Sequence, residues 1–218
     1  MKALIIIPTF NERENIGELI ADIFKIQPEL NILVVDDNSP DGTGSLVQEI
    51  AKKNGRVFLL SRSEKKGLGR AYIAGFDWGF THGFDFLVEM DADFSHRPQD
   101  LVKIIEAGKS GADFVIGTRY MKGGGTVHWG LGRKILSQAG SHYSRLILGY
   151  PIKDWTGGFN GWNKKVLKAI GLDTIKSEGY SFQVELKYRA LKKGYHALEV
   201  PIIFEERRVG MMIKAFIP

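Results

Sequence analysis

Two carboxylates stand one residue apart, as Asp91 and Asp93, at the end of the apolar run from Phe84 to Met90. A buried strand delivers such residues to its carboxyl end, which is the edge where open α/β sheets bind ligands. Carboxylates there present hard oxygen ligands, which suit Mg²⁺ or Mn²⁺ neutralising the diphosphate of a nucleotide. Short acidic pairs also occur in ordinary turns, where they cap a helix or face water. The rest of the sequence must decide between these two interpretations.

The composition limits the classes of partner. The 218 residues, 44% of them hydrophobic, fit one globular domain with one substantial core. A net charge of +5 favours anionic partners such as nucleotides, phosphorylated lipids or a membrane surface, and we predict no nucleic-acid partner. The lack of cysteine excludes disulfides and thiolate metal sites and agrees with a reducing compartment. No apolar run approaches the roughly 18 residues of a membrane-spanning helix, so we expect peripheral attachment at most.

Short β-branched runs alternate with longer amphipathic stretches along the chain. The periodicity predicts strands at 4–7, 32–35, 57–60, 86–90, 114–116 and 197–204. It predicts helices at 16–24, 43–53 and 68–81, from 98 onward, near 133–148 and at 181–193. Such alternation predicts an α/β fold, a three-layer α/β/α sandwich with a mostly parallel sheet. The glycines at 123–125 are interpreted as a mobile active-site loop.

The loops after the first two strands hold candidate binding residues. Residues 8–15 lead from the first strand into a helix, for which we predict Asn11 as the N-cap. The Gly-x-Gly-x-x-Gly pattern of a Rossmann dinucleotide site is absent there, which argues against a dehydrogenase. After the second strand, Asp36 and Asp37 either stabilise the Pro-Asp-Gly turn or contact a nucleobase or ribose.

Cationic residues form a third group. Lys65 and Lys66 precede two glycines at a helix start, which suits a phosphate or an ordinary solvated turn. Arg119 ends the strand at 114–116, and because a guanidinium fork matches phosphate geometry we predict that it binds one. Near the acidic pair, Ser95 is a candidate third ligand of the metal, whereas His96 is interpreted as a structural residue.

Six blocks, read in order, resemble one family: Ile7 to Asn15, Val35 to Thr43, Gly67 to Tyr72, Met90 to Pro98, Gly117 to Tyr120, and Glu178 to Glu185. The set resembles the polyprenyl (dolichyl) phosphate mannosyltransferases, inverting glycosyltransferases of family 2 with the GT-A fold. The resemblance extends from Leu4 to about Gly210. We therefore expect a single glycosyltransferase domain over 1–218, with a tail after about residue 205 that is either mobile or truncated.

The resemblance implies GDP-mannose as the donor and Mg²⁺ or Mn²⁺ as the cofactor. The residues around the guanosine would be Pro8, Phe10, Glu12, Val35 and Asp37. The metal and the diphosphate would lie at Asp91, Ala92 and Asp93. The residues that bind the donor and acceptor phosphates would be Arg119, Arg133 and Arg207. The closing pattern of the family, Arg-x-x-Gly-x-Ser-Lys, is only half present, because Met211, Met212 and Ile213 follow Gly210 and Lys214 comes one place late.

A polyprenyl phosphate acceptor would place the protein at a membrane. In the predicted helix from Arg133 to Leu148 one face is apolar, formed by Ile135, Leu136, Ala139, Tyr143, Leu146 and Ile147. This face either lies on a membrane or packs on the core. We expect the protein at the cytoplasmic face of a membrane, held there directly or through a membrane-anchoring subunit.

Three alternatives remain at this point. The chain could use another nucleotide sugar of the UDP-glucose type. It could glycosylate a carbohydrate hydroxyl, which would require a carboxylate base, with Asp154 or Glu178 as candidates. It could also be an inactive nucleotide-sugar-binding subunit of a membrane complex.

Overall fold

The computed structural model describes residues 1–206. The strands are β1 (Ala3–Thr9), β2 (Asn31–Asp36), β3 (Val57–Ser61), β4 (Phe86–Glu89), β5 (Phe114–Thr118), β6 (Gly125–Thr126), β7 (Asn160–Asn163), β8 (Ala197–Pro201) and β9 (Ile203–Phe204). The helices are α1 (Arg13–Ile26), α2 (Thr43–Lys53), α3 (Leu68–Thr81), α4 (Leu101–Lys109), α5 (Leu131–Leu148), α6 (Lys164–Ala169) and α7 (Tyr180–Lys192). Two short 3-10 turns, Pro98–Asp100 and Leu172–Thr174, complete the regular structure of this part of the chain.

Seven of these strands form the central sheet, in the order β3-β2-β1-β4-β7-β5-β8. All neighbours pair in parallel except β7, which is antiparallel to both β4 and β5. Alternate residues of β1 enter opposite layers, Ile5 and Ile7 packing with α1, α2 and α4, and Leu4 and Ile6 with α3, α6 and α7. Helices therefore cover both faces of the sheet, and the predicted three-layer sandwich is confirmed. Burial on both faces also explains why the strands are apolar over most of their length.

Strand β7 is the element that the sequence analysis missed. Its residues, Asn160, Gly161, Trp162 and Asn163, include only one type that favours strands. It forms nevertheless because it fills the gap between β4 and β5, where it is paired on both sides. Tertiary pairing has overridden local preference here.

Gly161 is expected to tolerate no side chain. A Cβ atom on it would lie 2.5 Å from Cζ of Phe86 and 2.7 Å from Cγ2 of Ile104. Because both neighbours are buried, Gly161→Ala should lower the free energy of unfolding by about 1–3 kcal/mol, measured by urea denaturation. Gly55→Ala is the matched control, since a Cβ at Gly55 meets nothing within 4 Å. Equal unfolding midpoints for the two variants would contradict this packing.

Two local predictions are wrong. The strand predicted at 197–204 is divided, because β8 pairs with β5 whereas β9 pairs with β6 in a separate two-stranded sheet. Gly125, the last residue of the loop predicted at 123–125, lies in strand β6. Asn11 is not the N-cap of α1, a position that Glu12 occupies. Asn11 instead has a φ of 60° and donates its backbone N–H to Oγ of Ser39 at 3.0 Å.

Candidate active site

The acidic pair lies directly after β4, at the carboxyl edge of the sheet. Asp91 is partly exposed, and its Oδ1 accepts a hydrogen bond from the hydroxyl of Tyr72 at 3.1 Å. Asp93 is buried, and its Oδ1 accepts the backbone N–H of Ser95 at 3.0 Å. Asp91 is therefore partly accessible at the edge of the sheet, whereas Asp93 helps to shape its own loop.

The buried ring of His96 holds this loop by a hydrogen bond to the backbone of Asp91. Its Nδ1 accepts the backbone N–H of Asp91 at 3.0 Å, and its ring stacks on Phe159 with centroids 4.7 Å apart. Burial lowers the pKa of His96, although the carboxylates of Asp91 and Asp93 act in the opposite direction. A neutral ring that accepts at Nδ1 fits the structural role predicted for it.

The donor set fits a hard divalent cation that shares its ligands with a substrate. Within residues 1–206 no cluster of three or more acidic or histidine side chains could hold a metal by itself. Mg²⁺ is commonly bound by one or two carboxylates together with substrate phosphates, and Asp91 and Asp93 provide that number. The Oγ atom of Ser95 is buried without a hydrogen-bond partner, so a further oxygen lies in the same loop.

At the end of β2, the neighbouring carboxylates of Asp36 and Asp37 have different partners. Asp36 accepts hydrogen bonds from the hydroxyls of Thr9 (2.8 Å) and Ser39 (2.6 Å) and therefore stabilises the turn. Asp37 is also buried and forms an ion pair with Arg62 at 2.9 Å. Burial raises the pKa of Asp37, and the charge of Arg62 opposes this rise.

Two of the residues predicted around a nucleoside, Pro8 and Val35, lie within β1 and β2, where they pair with each other, and Val35 is fully buried. The other three, Phe10, Glu12 and Asp37, lie on the loops that follow these strands. Phe10 is exposed, and Nζ of Lys65 lies 4.1 Å from the centre of its ring. Glu12 accepts a hydrogen bond from the side chain of Asn15 at 2.7 Å. Phe10 therefore offers an accessible aromatic face near a cation, where a base could stack.

Arg119 is buried in a bidentate ion pair with Asp154. Its Nε and Nη2 atoms each lie 2.7 Å from a carboxylate oxygen of Asp154, and Nη2 also donates to Oγ1 of Thr156 at 3.0 Å. Burial would raise the pKa of Asp154, but the hydrogen bonds and charge of Arg119 outweigh it and lower the pKa. The sequence analysis did not find this pair, since 35 residues separate its members.

A buried lysine fixes the turn that contains Asp154. Lys187 on α7 donates to the carbonyl oxygens of Asp154 and Trp155 at 3.0 Å and of Gly157 at 2.8 Å. Burial lowers the pKa of Lys187 to about 8, while Asp154 and Glu89 act in the opposite direction. A signal was present in the sequence, because Lys187 occupies a core-facing position of an amphipathic helix.

Glu89 connects this turn to the strand of the acidic pair. Its carboxylate accepts hydrogen bonds at 3.0 Å from the side chains of Trp162, Asn160 and Gln183. Burial raises the pKa of Glu89 to about 7, against the effect of these donors. The polar network thus extends without a break from β4 through β7 to α7.

Trp129 lies between two of the predicted phosphate-binding arginines. The guanidinium of Arg133 is 4.1 Å from the centre of a Trp129 ring, and that of Arg119 is 5.4 Å from it. Arg133 is half exposed and lies 3.6 Å from the carboxylate of Glu206. The third predicted arginine, Arg207, lies outside the described residues.

The two candidates for a carboxylate base lie in different environments. Asp154 has a lowered pKa and is held by Arg119. Glu178 is exposed, on the loop before α7.

Helix α5 turns its apolar face outward, so of the two alternatives left open for this face, packing on the core is wrong. Six of its large apolar residues are 66–78% exposed, namely Leu131, Ile135, Leu136, Tyr143, Leu146 and Ile147, whereas Leu148 packs against the core. Ser141 is the buried residue of this helix, and its Oγ accepts the backbone N–H of Trp155 at 3.3 Å. Over residues 1–206, no helix has the length and apolarity needed to cross a bilayer.

Comparison with known proteins gives consistent matches along the chain. The model of glycosyl transferase family 2 matches residues 4–171. Polyprenol monophosphomannose synthase of Mycolicibacterium smegmatis is 46% identical over 211 residues, which are 96% of this chain and 80% of that protein. Undecaprenyl-phosphate mannosyltransferase of Micrococcus luteus is 47% identical over 210 residues, which are 96% of this chain and 86% of that protein.

Two solved structures share the fold at low sequence identity. One is a mannosyltransferase from Pyrobaculum calidifontis in complex with GDP-Man and Mn²⁺, with a TM-score of 0.63 and 20% identity. The match covers 94% of this chain and 56% of that one. The other is glucosyl-3-phosphoglycerate synthase from Mycobacterium tuberculosis with Mn²⁺, UDP and phosphoglyceric acid, with a TM-score of 0.71 and 16% identity over 96% of this chain and 72% of that one.

The fold and these matches define a glycosyltransferase with the GT-A fold. The family model covers more than half of the chain, and the two curated relatives match nearly all of it. This chain belongs to glycosyl transferase family 2.

Proposed function

We propose that this enzyme transfers mannose from GDP-mannose to a polyprenyl phosphate, with inversion and with the help of Mg²⁺ or Mn²⁺. The observation that carries the proposal is the carboxylate pair, Asp91 and Asp93, at the ligand-binding edge of the sheet. The names of the two curated relatives supply the acceptor class and the sugar. Mn²⁺ in two structures of the same fold supports the choice of cation.

In this mechanism Asp91 and Asp93 would hold the cation together with the donor diphosphate. When bound, the ion supplies Lewis-acid stabilisation to the nucleoside diphosphate that leaves. Phe10 and Asp37 would contact the guanosine. Arg133 would orient a phosphate group near Trp129, together with Arg119, whose Nε and Nη2 are already engaged by Asp154 and Thr156. A single displacement at the anomeric carbon then inverts its configuration.

The acceptor supplies its own nucleophile. A phosphate monoester has a second pKa of about 6, so it is largely dianionic at neutral pH and attacks without a general base. A carbohydrate hydroxyl would need such a base, yet Asp154 is held by Arg119, which leaves only Glu178, an exposed residue on the loop before α7. This difference favours the lipid phosphate over the hydroxyl acceptor.

The exposed apolar face of α5 supports attachment to the membrane that contains the acceptor. An amphipathic helix in this setting lies in the interface, with its apolar side chains in the acyl region. We further propose that the protein works at the cytoplasmic face, bound directly through α5 or additionally through a membrane-anchoring subunit.

Removal of apolar side chains from α5 is expected to weaken membrane attachment. Each buried leucine contributes about 1.5–3 kcal/mol, so Leu136→Ser with Leu146→Ser should lower partitioning onto vesicles at least tenfold, on the order expected from burial. Liposome flotation measures this. Leu198→Ser is the control, because Leu198 is exposed on β8, outside α5. Undiminished flotation of the double variant would exclude α5 as the contact.

A transfer assay tests the reaction itself. The full chain is incubated with radiolabelled GDP-mannose and a polyprenyl phosphate in detergent, with Mg²⁺, with Mn²⁺, or with excess EDTA. We expect a labelled product that extracts into organic solvent and disappears with EDTA. Label transferred to a carbohydrate acceptor instead, or tight donor binding without any product, would refute the proposed reaction.

A further inference from the structure

An open cleft of about 490 Å³ lies beside α5, and neither Asp91 nor Asp93 is among the residues that line it. Three basic side chains line it: His142 and Arg145 on α5, and Lys153 on the loop that follows. No acidic residue is among the residues that line it. The cleft is therefore positively charged and open to solvent.

Its cations are available to a ligand. Neither Arg145 nor Lys153 forms an ion pair within the part of the chain that the structure describes. Glu199 is an acidic neighbour, but its Oε1 accepts the backbone N–H of Lys153 at 3.0 Å rather than its ammonium group. Asp154, the next residue, is buried and held by Arg119. Charge complementarity thus calls for an anion.

The position of the cleft relative to the apolar face of α5 indicates which anion. Ile135 and Ala139 belong to that face and also line the cleft, so the two surfaces adjoin. If the apolar face lies in the acyl region of a membrane, the flank with Arg145 lies at the depth of the headgroups. The ligand is then part of the membrane and not a solute.

The cations of the cleft are separate from Arg133, although Tyr120, which also lines the cleft, has its ring 5.1 Å from the guanidinium of Arg119. Arg145 lies 12 residues after Arg133 on the same helix, which corresponds to roughly 18 Å along its axis. A phosphate bound near Arg133 and Trp129 would therefore leave Arg145 unengaged.

We propose that this cleft binds the phosphate of an anionic phospholipid headgroup, with Arg145 and Lys153 as the principal cations. The proposal rests on the membrane attachment inferred above and adds a lipid preference to it. Binding would fix the rotation of α5 in the interface and so hold the active-site edge toward the bilayer.

Vesicle binding tests this with the full chain. Vesicles of phosphatidylcholine are compared with vesicles that also contain phosphatidylglycerol, for the wild type and for Arg145→Gln with Lys153→Gln. A cation near an anionic surface contributes about 1 kcal/mol, so the double variant should lose roughly 25-fold in affinity for the anionic vesicles and keep its affinity for the neutral ones. Lys52→Gln with Lys53→Gln, which removes the same charge from α2, should lose much less.

Several results would overturn the proposal. One is an equal loss in the α2 control, which would indicate net charge alone. Another is a retained preference for phosphatidylglycerol in the Arg145 and Lys153 variant. A third is loss of mannosyl transfer by that variant in detergent without phospholipid, since the cleft would then bind the acceptor. Equal binding of the wild type to both vesicles refutes only this proposal, whereas failure to bind either also refutes membrane attachment through α5.

Discussion

Asp93→Asn is expected to lower mannosyl transfer by about 100- to 1,000-fold, because it would remove one of the two charged ligands proposed for the cation that stabilises the leaving diphosphate. Asparagine keeps the size of the side chain and an oxygen that can still accept the N–H of Ser95. The fold should therefore persist while the charge is lost. Initial rates with saturating Mg²⁺ or Mn²⁺ measure the loss, and Mn²⁺ titration in the presence of GDP should show weaker binding.

Asp173→Asn provides the control for that experiment. Asp173 is exposed in the 3-10 turn after α6, so its neutralisation changes net charge equally without touching the acidic pair. Its transfer rate should equal that of the wild type. Undiminished, metal-dependent turnover in Asp93→Asn would remove Asp93 from the site.

Asp154→Asn is expected to have the largest effect on stability. It leaves the guanidinium of Arg119 buried without a counter-charge, and breaking a buried ion pair in this way costs about 3–5 kcal/mol. Urea denaturation measures the loss. Transfer should fall at least tenfold as well, on the order expected when a proposed phosphate ligand is misplaced, because Asp154 fixes the guanidinium of Arg119 at two points.

Two controls test whether the loss of stability comes from the buried ion pair: a variant of an exposed ion pair, and the dependence of the loss on pH. Asp113→Asn breaks an ion pair with the exposed Lys165 and should cost less than about 1 kcal/mol. Because the folded pKa of Asp154 is lowered, its stabilisation is complete above the unfolded value of about 3.9 and is lost as the pH falls through the folded value. Wild type and variant should converge in acid, and a gap independent of pH would contradict the ion pair.

Periodicity and turn chemistry were sufficient for most of the architecture. The bounds of α2 and α3 agree with the prediction, because their apolar faces repeat clearly and a glycine precedes each helix. The edge residues Asp91, Asp93 and Arg119 were located by a simple rule, that parallel strands bring their carboxyl ends together.

Long-range contacts were beyond the sequence. Nothing near Arg119 indicates that Asp154 neutralises it, and nothing in the composition of residues 160–163 predicts a central strand. For α5 the pattern identified the apolar face but not its direction, since periodicity does not reveal whether a neighbouring element covers that face. Such features depend on which elements meet in the folded chain.

The antiparallel strand β7 has a consequence for the order in which the chain can fold. Residues 1–118 contain β1 to β5, yet β5 pairs with no strand among them and joins the sheet only through residues 160–163. During synthesis the first four strands can assemble early. One edge of β4 stays unpaired until β7, more than 70 residues later in the chain, has been made. An unpaired strand edge is prone to wrong pairing. The emerging chain is therefore at risk of aggregation until β7, which contains Trp162, pairs with β4.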